Sequence, residues 1–280
     1  MNLKQSDILV DVQRALDEDV GSGDVSAALL PAHLVVEAEI ISREPMLVCG
    51  RPWVDAVFAA LSPAIELNWL VEEGEWLSQP GTLCEIKGPA RAILTAERTA
   101  LNFLQTLSAT ATQTHRYLDA IKGSKTRLLD TRKTLPGLRL AQKYAVACAG
   151  GVNHRLGLYD AFLIKENHIK SCGSISKAIQ QARALRKDLF VEIEVETIAE
   201  LCEALEAKPD RILLDNFSLS LLQEAVAINQ PYGCQLEASG GIDLTNITRI
   251  AQLGVDFISV GAMTKSIRAI DLSLLIRGVQ

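Results

Sequence analysis

The sequence contains few of the features that tie a chain together covalently or carry it into a membrane. Its six cysteines, at positions 49, 84, 148, 172, 202 and 234, include no C-x-x-C pair, which argues against a zinc knuckle or a redox dithiol. Isolated cysteines usually behave as small buried hydrophobes. No apolar run reaches the roughly 18 residues that span a bilayer, and the first residues lack the basic-then-apolar layout of a signal peptide. We therefore expect a soluble, reduced, cytoplasmic protein.

Positive charge and the common catalytic motifs are also scarce. The 28 Lys and Arg residues face 34 Asp and Glu residues, for a net charge of -6, whereas nucleic-acid-binding proteins usually carry a basic face. The G-x-S-x-G elbow, the P-loop and G-x-G-x-x-G are missing, so a serine nucleophile has no support. The length of 280 residues suggests two domains or one large α/β unit.

The first part of the chain, residues 1–112, has an α+β pattern. Apolar and polar residues alternate over Val35–Ser42 and Leu83–Leu94, with a short helical stretch at Pro52–Ala60 between them. Such alternation predicts an antiparallel sheet with one covered face. Residues 71–88 also have the hairpin rhythm of a lipoyl or biotinyl carrier. Because Lys87, the only candidate lysine, lacks flanking attachment residues, we interpret this segment as scaffold.

The second part, residues 113–269, alternates short apolar runs with helices after a long helical stretch at Ala96–Lys122. Nearly continuous apolar strands separated by helices predict a parallel sheet covered by helices. The predicted strands are Arg127–Asp130, Ala161–Ile164, Phe190–Val195, Arg211–Leu214, Cys234–Ala238 and Asp256–Val260. They occupy about 140 residues, too few for an eightfold barrel of about 250. We predict an incomplete α/β barrel, with a doubly wound open sheet as the alternative.

Charged residues follow the predicted strands at their carboxyl ends, where parallel α/β proteins place their chemistry. The cations are Arg132, Lys133, His154, Arg155 and Lys165. Gathered at one end of a barrel, they would create a positive potential that attracts small anions.

Two glycine-containing loops and two carboxylates complete this set. The loops Ser239-Gly240-Gly241 and Val260-Gly261-Ala262 offer backbone N–H groups that suit a phosphate. Glu194 and Asp215 can hold ribose hydroxyls or an Mg²⁺ ion. Alternatively they pair with Lys165 or Arg132, and both interpretations can hold together. His168 either caps a loop or contacts substrate.

Three long motifs resemble the signature of the quinolinate phosphoribosyltransferase family. They are residues 130–139 (DTRKTLPGLR), 150–158 (GGVNHRLGL) and 165–169 (KENHI). Shorter matches run almost end to end, among them Glu97-Arg98, Leu214-Asp215-Asn216 and Glu237-Ala238-Ser239. The resemblance implies an N-terminal α/β sandwich domain and an incomplete barrel of six to seven strands, with residues 270–280 returning to the first domain. It also implies a homodimer in which Arg98 reaches the partner's site.

The implied reaction joins quinolinate to 5-phosphoribosyl-1-pyrophosphate with Mg²⁺ and yields nicotinate mononucleotide, pyrophosphate and CO₂, in NAD biosynthesis. By resemblance, Lys133, Lys165, Glu194 and Asp215 are the catalytic residues. Glu194 and Asp215 are also the residues that would face the metal. The substrate-binding set is Arg98, Arg132, Lys133, His154, Arg155, Lys165, Glu194, Asp215, Ser239, Gly240, Gly241, Ser259, Gly261 and Ala262.

Two positions depart from the family pattern. Ala109 stands where a glycine is common. Lys265 stands where many members have histidine, which predicts an altered pH dependence.

Three other functions compete with the quinolinate reaction. They are those of a paralogue associated with molybdenum transport, of a nicotinate phosphoribosyltransferase and of a non-catalytic binder of a phosphorylated ligand. The intact Asn153-His154-Arg155 and Lys165-Glu166-Asn167-His168 strings and the extra arginines favour the dicarboxylate enzyme.

Overall fold

A computed structural model describes residues 3–279 of the chain. Its helices are α1 (Gln5–Val20), α2 (Arg51–Leu61), α3 (Ala90–Ala120), α4 (Arg139–Cys148), α5 (Glu166–Cys172), α6 (Ile175–Leu185), α7 (Ile198–Ala207), α8 (Leu219–Asn229), α9 (Ile247–Ala251) and α10 (Ala262–Lys265). Its strands are β1 (Val35–Ser42), β2 (Met46–Leu47), β3 (Glu66–Trp69), β4 (Trp76–Leu77), β5 (Gly81–Pro89), β6 (Arg127–Leu129), β7 (Ala161–Ile164), β8 (Phe190–Val195), β9 (Arg211–Asp215), β10 (Gln235–Ser239), β11 (Phe257–Ser259) and β12 (Leu272–Val279).

The described chain divides into two compact units. The first unit comprises the described residues up to His115, Leu135–Gly150 and the described residues from Met263 onward; the second comprises Arg116–Thr134 and Gly151–Ala262. The sequence prediction had assigned residues 113–115, 135–150 and 263–269 to the barrel. Residues 1, 2 and 280, which it assigned to the first domain, lie outside the described part. Residues 135–150 join the first unit because Ala141 and Ala145 of α4 are buried in the same core as Trp53 and Leu104.

The first unit is built on an antiparallel sheet with the strand order β12-β1-β5-β3. The C-terminal strand β12 pairs with β1 in the register Ile40↔Leu274, as the resemblance implied. The predicted strand Leu83–Leu94 ends earlier, at Pro89, and α3 begins at Ala90. Lys87 lies within β5 rather than at a hairpin tip, and its ammonium group pairs with Glu37 at 3.0 Å.

The second unit is a parallel sheet in which the described residues form six strands, in the order β6-β11-β10-β9-β8-β7. Its first strand lies beside its last, and the others follow in sequence, which is the winding of a barrel rather than of a doubly wound sheet. One isolated parallel bridge pairs Leu129, the last residue of β6, with Val152. The prediction of an incomplete α/β barrel is therefore confirmed.

Side-chain alternation along the strands puts charged residues on one shared face of this sheet. Glu192 and Glu194 lie two apart on β8, and Arg211 and Asp215 lie four apart on β9, so each pair shares a face. The Arg211 guanidinium lies over the ring of Phe257 from β11, 3.9 Å from its centroid. No helix within residues 3–279 has the length and apolarity needed to cross a membrane.

Candidate active site

An open cavity of about 190 Å³ lies within the second unit, at the carboxyl ends of its strands. Nine of its lining residues belong to the substrate-binding set predicted from the sequence: Arg132, Lys133, His154, Arg155, Lys165, Glu194, Asp215, Ser239 and Ser259. Thr131, Leu163, Leu213 and Glu237 complete the lining. Residues that lie far apart in the sequence therefore face one space, as parallel strand ends require.

Asp130 organises the segment that carries His154 and Arg155. Its fully buried carboxylate accepts the side-chain N–H of Asn153 at 2.7 Å and the backbone N–H of His154 at 2.8 Å. The backbone of Asp130 in turn donates to the carbonyl of Val152. This explains why the Asp130 and Asn153 motifs occur together: one buried carboxylate holds the second motif against the end of β6.

Both ring nitrogens of His154 are engaged by the protein. Nδ1 accepts the backbone N–H of Arg155 at 2.7 Å, and Nε2 lies 2.8 Å from a carboxylate oxygen of Glu192. Nδ1 is therefore an acceptor toward Arg155, while Nε2 faces the carboxylate of Glu192. The sequence analysis counted His154 among the cations of the site. The structure places His154 in the cavity lining, where it also contacts Arg155 and Glu192.

A buried charged network lies against His154 and was missed by the sequence analysis. Glu192 and Glu237 are almost completely buried, and NH1 of Arg211 lies 3.2 Å from Glu237 and 3.9 Å from Glu192. Burial, followed by the neighbouring Glu192, raises the pKa of Glu237 to about 8. Burial also raises the pKa of Glu192. A signal existed in the sequence, since Glu192 stands between Val191 and Ile193 in a strand predicted to be covered by helices.

Lys165 and His168 flank the start of α5. The Lys165 ammonium group forms an ion pair with Glu194. The structure therefore shows the alternative interpretation of Glu194, in which this carboxylate pairs with Lys165. The backbone N–H of Lys165 donates to Nδ1 of His168 at 3.0 Å, which makes His168 a cap for this helix. Of the two roles predicted for His168, the structure shows the capping one.

Arg132 and Arg155 bring two positive charges close together. Burial, and then the charge of Arg132, lower the pKa of Arg155. Among the described residues, the buried Nε of Arg132 has no hydrogen-bond partner. Like charges held together with an unsatisfied buried donor form an environment that an anion would stabilise.

The two glycine loops approach neighbouring residues too closely for a side chain. A Cβ on Gly240, at a φ of +93°, would lie 2.2 Å from the side-chain oxygen of Asn216. A Cβ on Gly261 would lie 2.9 Å from the Lys133 side chain. Gly241 also has a positive φ, of +58°, and Ala262 begins α10.

The first unit contains three positions that the sequence analysis singled out: Arg98, Lys265 and Ala109. Arg98 is exposed on α3 and is not among the residues that line the cavity. Lys265 is exposed at the end of α10. Ala109 is buried in the core of the same unit, and on either side of it Ser108 and Thr112 accept the backbone N–H groups of Cys49 and Leu47. The alanine in place of the common glycine is therefore compatible with a closely packed α3.

Comparison with known proteins gives consistent matches over nearly the whole chain. The model of the quinolinate phosphoribosyl transferase N-terminal domain matches residues 24–108, and that of the C-terminal domain matches residues 110–275. A nicotinate-nucleotide pyrophosphorylase (carboxylating) of Mycobacterium leprae is 42% identical over 94% of this chain and 95% of its own length. A quinolinate phosphoribosyltransferase (decarboxylating) of Nicotiana tabacum is 38% identical over 95% of this chain and 81% of its own. The solved structure of the nicotinate-nucleotide pyrophosphorylase of Francisella tularensis superposes with a TM-score of 0.94 at 46% identity, covering 99% of this chain and 98% of that one.

Proposed function

The chain belongs to the quinolinate phosphoribosyltransferase family, and from this premise we propose the reaction of its strand-end cavity. The ring nitrogen of quinolinate displaces pyrophosphate from the anomeric carbon of 5-phosphoribosyl-1-pyrophosphate. The 2-carboxylate then leaves as CO₂, and a proton takes its place on the ring carbon. The products are nicotinate mononucleotide, pyrophosphate and CO₂, and the reaction feeds NAD biosynthesis.

One observation carries this proposal: the cations and carboxylates of distant strand ends line one cavity of a chain whose net charge is -6. Both substrates are polyanions, and a cationic cleft in an acidic protein concentrates such ligands. The reaction also requires no covalent enzyme intermediate, which agrees with the missing nucleophile motifs.

We propose that arginines bind the carboxylates of quinolinate. A planar guanidinium matches a carboxylate in bidentate geometry, so Arg132 and Arg155 suit the two carboxylates of the substrate. The buried Nε of Arg132 gains a partner when an anion binds. His154, Lys165 and the partner's Arg98 complete the proposed substrate contacts, and His154 also fixes the backbone of Arg155.

Phosphoribosyl pyrophosphate would occupy the remainder of the site. Lys133 and Lys165 would neutralise its pyrophosphate, Glu194 and Asp215 would hold its ribose hydroxyls, and the loops that follow β10 and β11 would hold its 5′-phosphate. Those loops include Ser239, Gly240, Gly241, Ser259, Gly261 and Ala262. In the absence of substrate the Lys165–Glu194 pair satisfies both charges, and binding would exchange this pairing for contacts with the ligand.

The cavity suits Mg²⁺ that enters with phosphoribosyl pyrophosphate. Glu194 and Asp215 supply carboxylate oxygens, which are the donors that Mg²⁺ prefers. The ion would neutralise part of the charge of the departing pyrophosphate. Because these carboxylates would also bind the ribose, we propose that they contact the metal indirectly, through the hydroxyls or through water.

Catalysis would come mainly from positioning and electrostatics. Displacement at the anomeric carbon passes through an oxocarbenium-like state, which nearby carboxylates such as Glu194 and Asp215 stabilise. Decarboxylation follows because the alkylated ring nitrogen is positive and accepts the electrons of the breaking bond. The arginines must therefore hold the 2-carboxylate without stabilising it so strongly that it cannot leave.

We further propose a cytoplasmic homodimer in which each cavity is completed by Arg98 of the partner. Arg98 supports this idea because it is an exposed side chain in the first unit that the cavity of its own chain does not include. A reduced compartment agrees with the six cysteines, which are all free thiols.

The direct test is an assay with purified protein, quinolinate, phosphoribosyl pyrophosphate and Mg²⁺, in which nicotinate mononucleotide and CO₂ are measured. Nicotinate serves as the parallel substrate. Product from quinolinate alone is the expected result, since only the dicarboxylate uses both arginines. Turnover of nicotinate, or binding of both ligands without turnover, would assign the site to one of the competing functions.

A further inference from the structure

Three side chains with metal-binding atoms meet in the first unit, and the proposed reaction uses none of them. Cys49 lies two residues before the start of α2, Glu73 lies in the turn between β3 and β4, and Cys148 is the last residue of α4. Their two sulfurs and one carboxylate oxygen all lie within 4.8 Å of one another. None of the three belongs to the strand-end cavity, whose lining residues lie in the second unit.

The carboxylate of Glu73 is held in place by hydrogen bonds from three directions. One oxygen accepts the backbone N–H of Gly50 at 2.8 Å and the hydroxyl of Tyr144 at 3.0 Å, and the other accepts the backbone N–H of Arg51 at 3.1 Å. Outer partners of this kind orient the carboxylates that ligate metals in proteins. The position of Glu73 beside the two sulfurs is therefore set before any ligand binds.

Cys49 is held just as firmly, through its backbone. Its N–H donates to the Ser108 hydroxyl at 3.0 Å, and that hydroxyl donates back to the Cys49 carbonyl at 3.0 Å. The Cys49 side chain is completely buried, whereas Cys148 is only partly buried. The cluster thus has one rigid interior thiol and one thiol that solvent can approach, which provides a route for an ion to enter.

The Glu73 carboxylate brings an acidic donor beside the two thiols. A divalent cation would balance the charge of this carboxylate, and coordination would deprotonate the thiols.

We propose that Cys49, Cys148 and Glu73 form a binding site for one zinc-type divalent cation. Two thiolates and a carboxylate belong to the donor set that Zn²⁺ accepts, with a fourth position open to water. Tetrahedral bonds of about 2.0–2.3 Å separate neighbouring donors by about 3.4–3.8 Å. Small side-chain rotations therefore suffice to close the cluster around the ion. The bound ion would join the start of α2, the β3–β4 turn and the end of α4.

The test uses the whole chain, reduced and stripped with a chelator, with Zn²⁺ itself as the probe. Binding is measured by competition with a chromophoric chelator, and a Co²⁺-loaded sample is examined for thiolate-to-cobalt charge-transfer absorption. Wild-type protein is expected to bind one equivalent per chain. Cys148→Ser and Glu73→Gln should each weaken binding by at least about tenfold, with the charge-transfer absorption diminished in Cys148→Ser.

The matched control is Cys202→Ser, which changes an exposed thiol on α7 and should bind Zn²⁺ as the wild type does. Circular dichroism of the metal-free variants shows whether each one folds. If Cys148→Ser does not fold, alkylation of the wild type replaces it: bound Zn²⁺ should slow modification of Cys148 by about tenfold or more.

Three results would overturn the proposal. One is the absence of saturable Zn²⁺ binding by the reduced wild type, and another is unchanged binding by a folded Cys148→Ser variant. The third is a Cys49–Cys148 disulfide in a protein that binds no metal after reduction. The disulfide would lower the mass of the chain by two hydrogens, and a reductant would restore the original mass. None of these measurements depends on transferase activity, so the site and the proposed reaction stand or fall separately.

Discussion

At the residue scale, Arg132 combines a fixed charge with an unsatisfied buried donor. Its guanidinium lies near that of Arg155, whose pKa is lowered by burial and then by the charge of Arg132, so the two charges oppose each other until an anion arrives. We expect a bound anion to offset the cost of holding them together. A change at Arg132 should therefore affect affinity much more than stability.

We predict that Arg132→Ala weakens quinolinate binding by about 10- to 100-fold, the effect of losing a charged hydrogen-bonded contact. Arg132→Lys should recover only part of this loss because an ammonium group has no fork. Isothermal titration with quinolinate and thermal unfolding measure the two effects. Arg186→Ala, which removes a surface pair with Asp188, is the control and should leave both unchanged. Wild-type affinity in Arg132→Ala would rule out the assigned role.

The second residue-scale prediction concerns Glu237, whose pKa is raised from its ordinary value of 4.5 to about 8, chiefly by burial. A carboxyl whose pKa is higher in the folded state favours folding below its unfolded pKa and loses that advantage as the pH rises toward its folded value. Glu237→Gln removes this titration. The free energy of unfolding of the wild type should therefore fall relative to the variant, by an amount on the order of a few kcal/mol, between about pH 4.5 and pH 8.

Urea unfolding of both proteins at several pH values measures this difference. Glu224→Gln, at an exposed position of α8, is the control and should run parallel to the wild type. A pH-independent difference between wild type and Glu237→Gln would show that the carboxyl stays ionised in the folded protein.

At the element scale, the strands were predicted more accurately than the helix ends. Each predicted strand of the second unit lies within one residue of β6–β11 at both ends, because buried parallel strands are short, apolar and bounded by polar residues. The exception in the first unit is instructive. The alternation of Leu83–Leu94 continues past Pro89, but the alanine-rich sequence from Ala90 starts a 31-residue helix. Local pattern cannot separate these states when both would bury the same side chains.

Gly240, in the loop after β10, allows an element-scale prediction. At its φ of +93° a Cβ would meet both the side chain and the backbone nitrogen of Asn216. Gly240→Ala should lower the free energy of unfolding by about 1–3 kcal/mol and weaken binding of phosphoribosyl pyrophosphate. Gly241→Ala is the matched control, because its Cβ would meet no atom within 4 Å and only its φ of +58° is unfavourable. Equal effects of the two changes would show that crowding against Asn216 is unimportant.

At the scale of the whole molecule, the distribution of charge matters more than its sum. The chain carries a net charge of -6, yet Arg132, Lys133, Arg155 and Lys165 all line one cavity. The proposed dimer would add Arg98 from a second chain to each cavity, which makes the site a property of two chains.

Mixing two inactive variants tests this arrangement. Arg98→Ala and Arg132→Ala should each be nearly inactive, whereas a heterodimer of the two contains one site with both arginines intact. Random reassociation of equal amounts makes half of the dimers mixed, so about one quarter of the wild-type activity should return. The control is Arg98→Ala mixed with the Arg98→Ala, Arg132→Ala double variant, which can form no intact site. No recovery from a mixture shown to exchange subunits would mean that each site uses arginines of one chain.

The sequence by itself determined the family, the succession of the strands along the chain and the residues at the carboxyl ends of those strands. Long motifs such as residues 130–139 are local in the chain, and the period of two along each strand decides which side chains share a face. Nine predicted binding residues therefore line one cavity, because the carboxyl ends of parallel strands lie at the same edge of the sheet.

Only the tertiary structure decided which partners each side chain acquires. His154 gains Arg155 and Glu192 as hydrogen-bonding partners, and the raised pKa of Glu237 depends on burial that no local pattern reveals. Cys49 and Cys148 stand 99 positions apart in the sequence (148 − 49) and looked like isolated thiols, yet packing of α4 into the first unit brings their sulfurs together beside Glu73. Hydrogen bonding and electrostatics act over a few ångströms in space, and separation along the chain does not measure that distance.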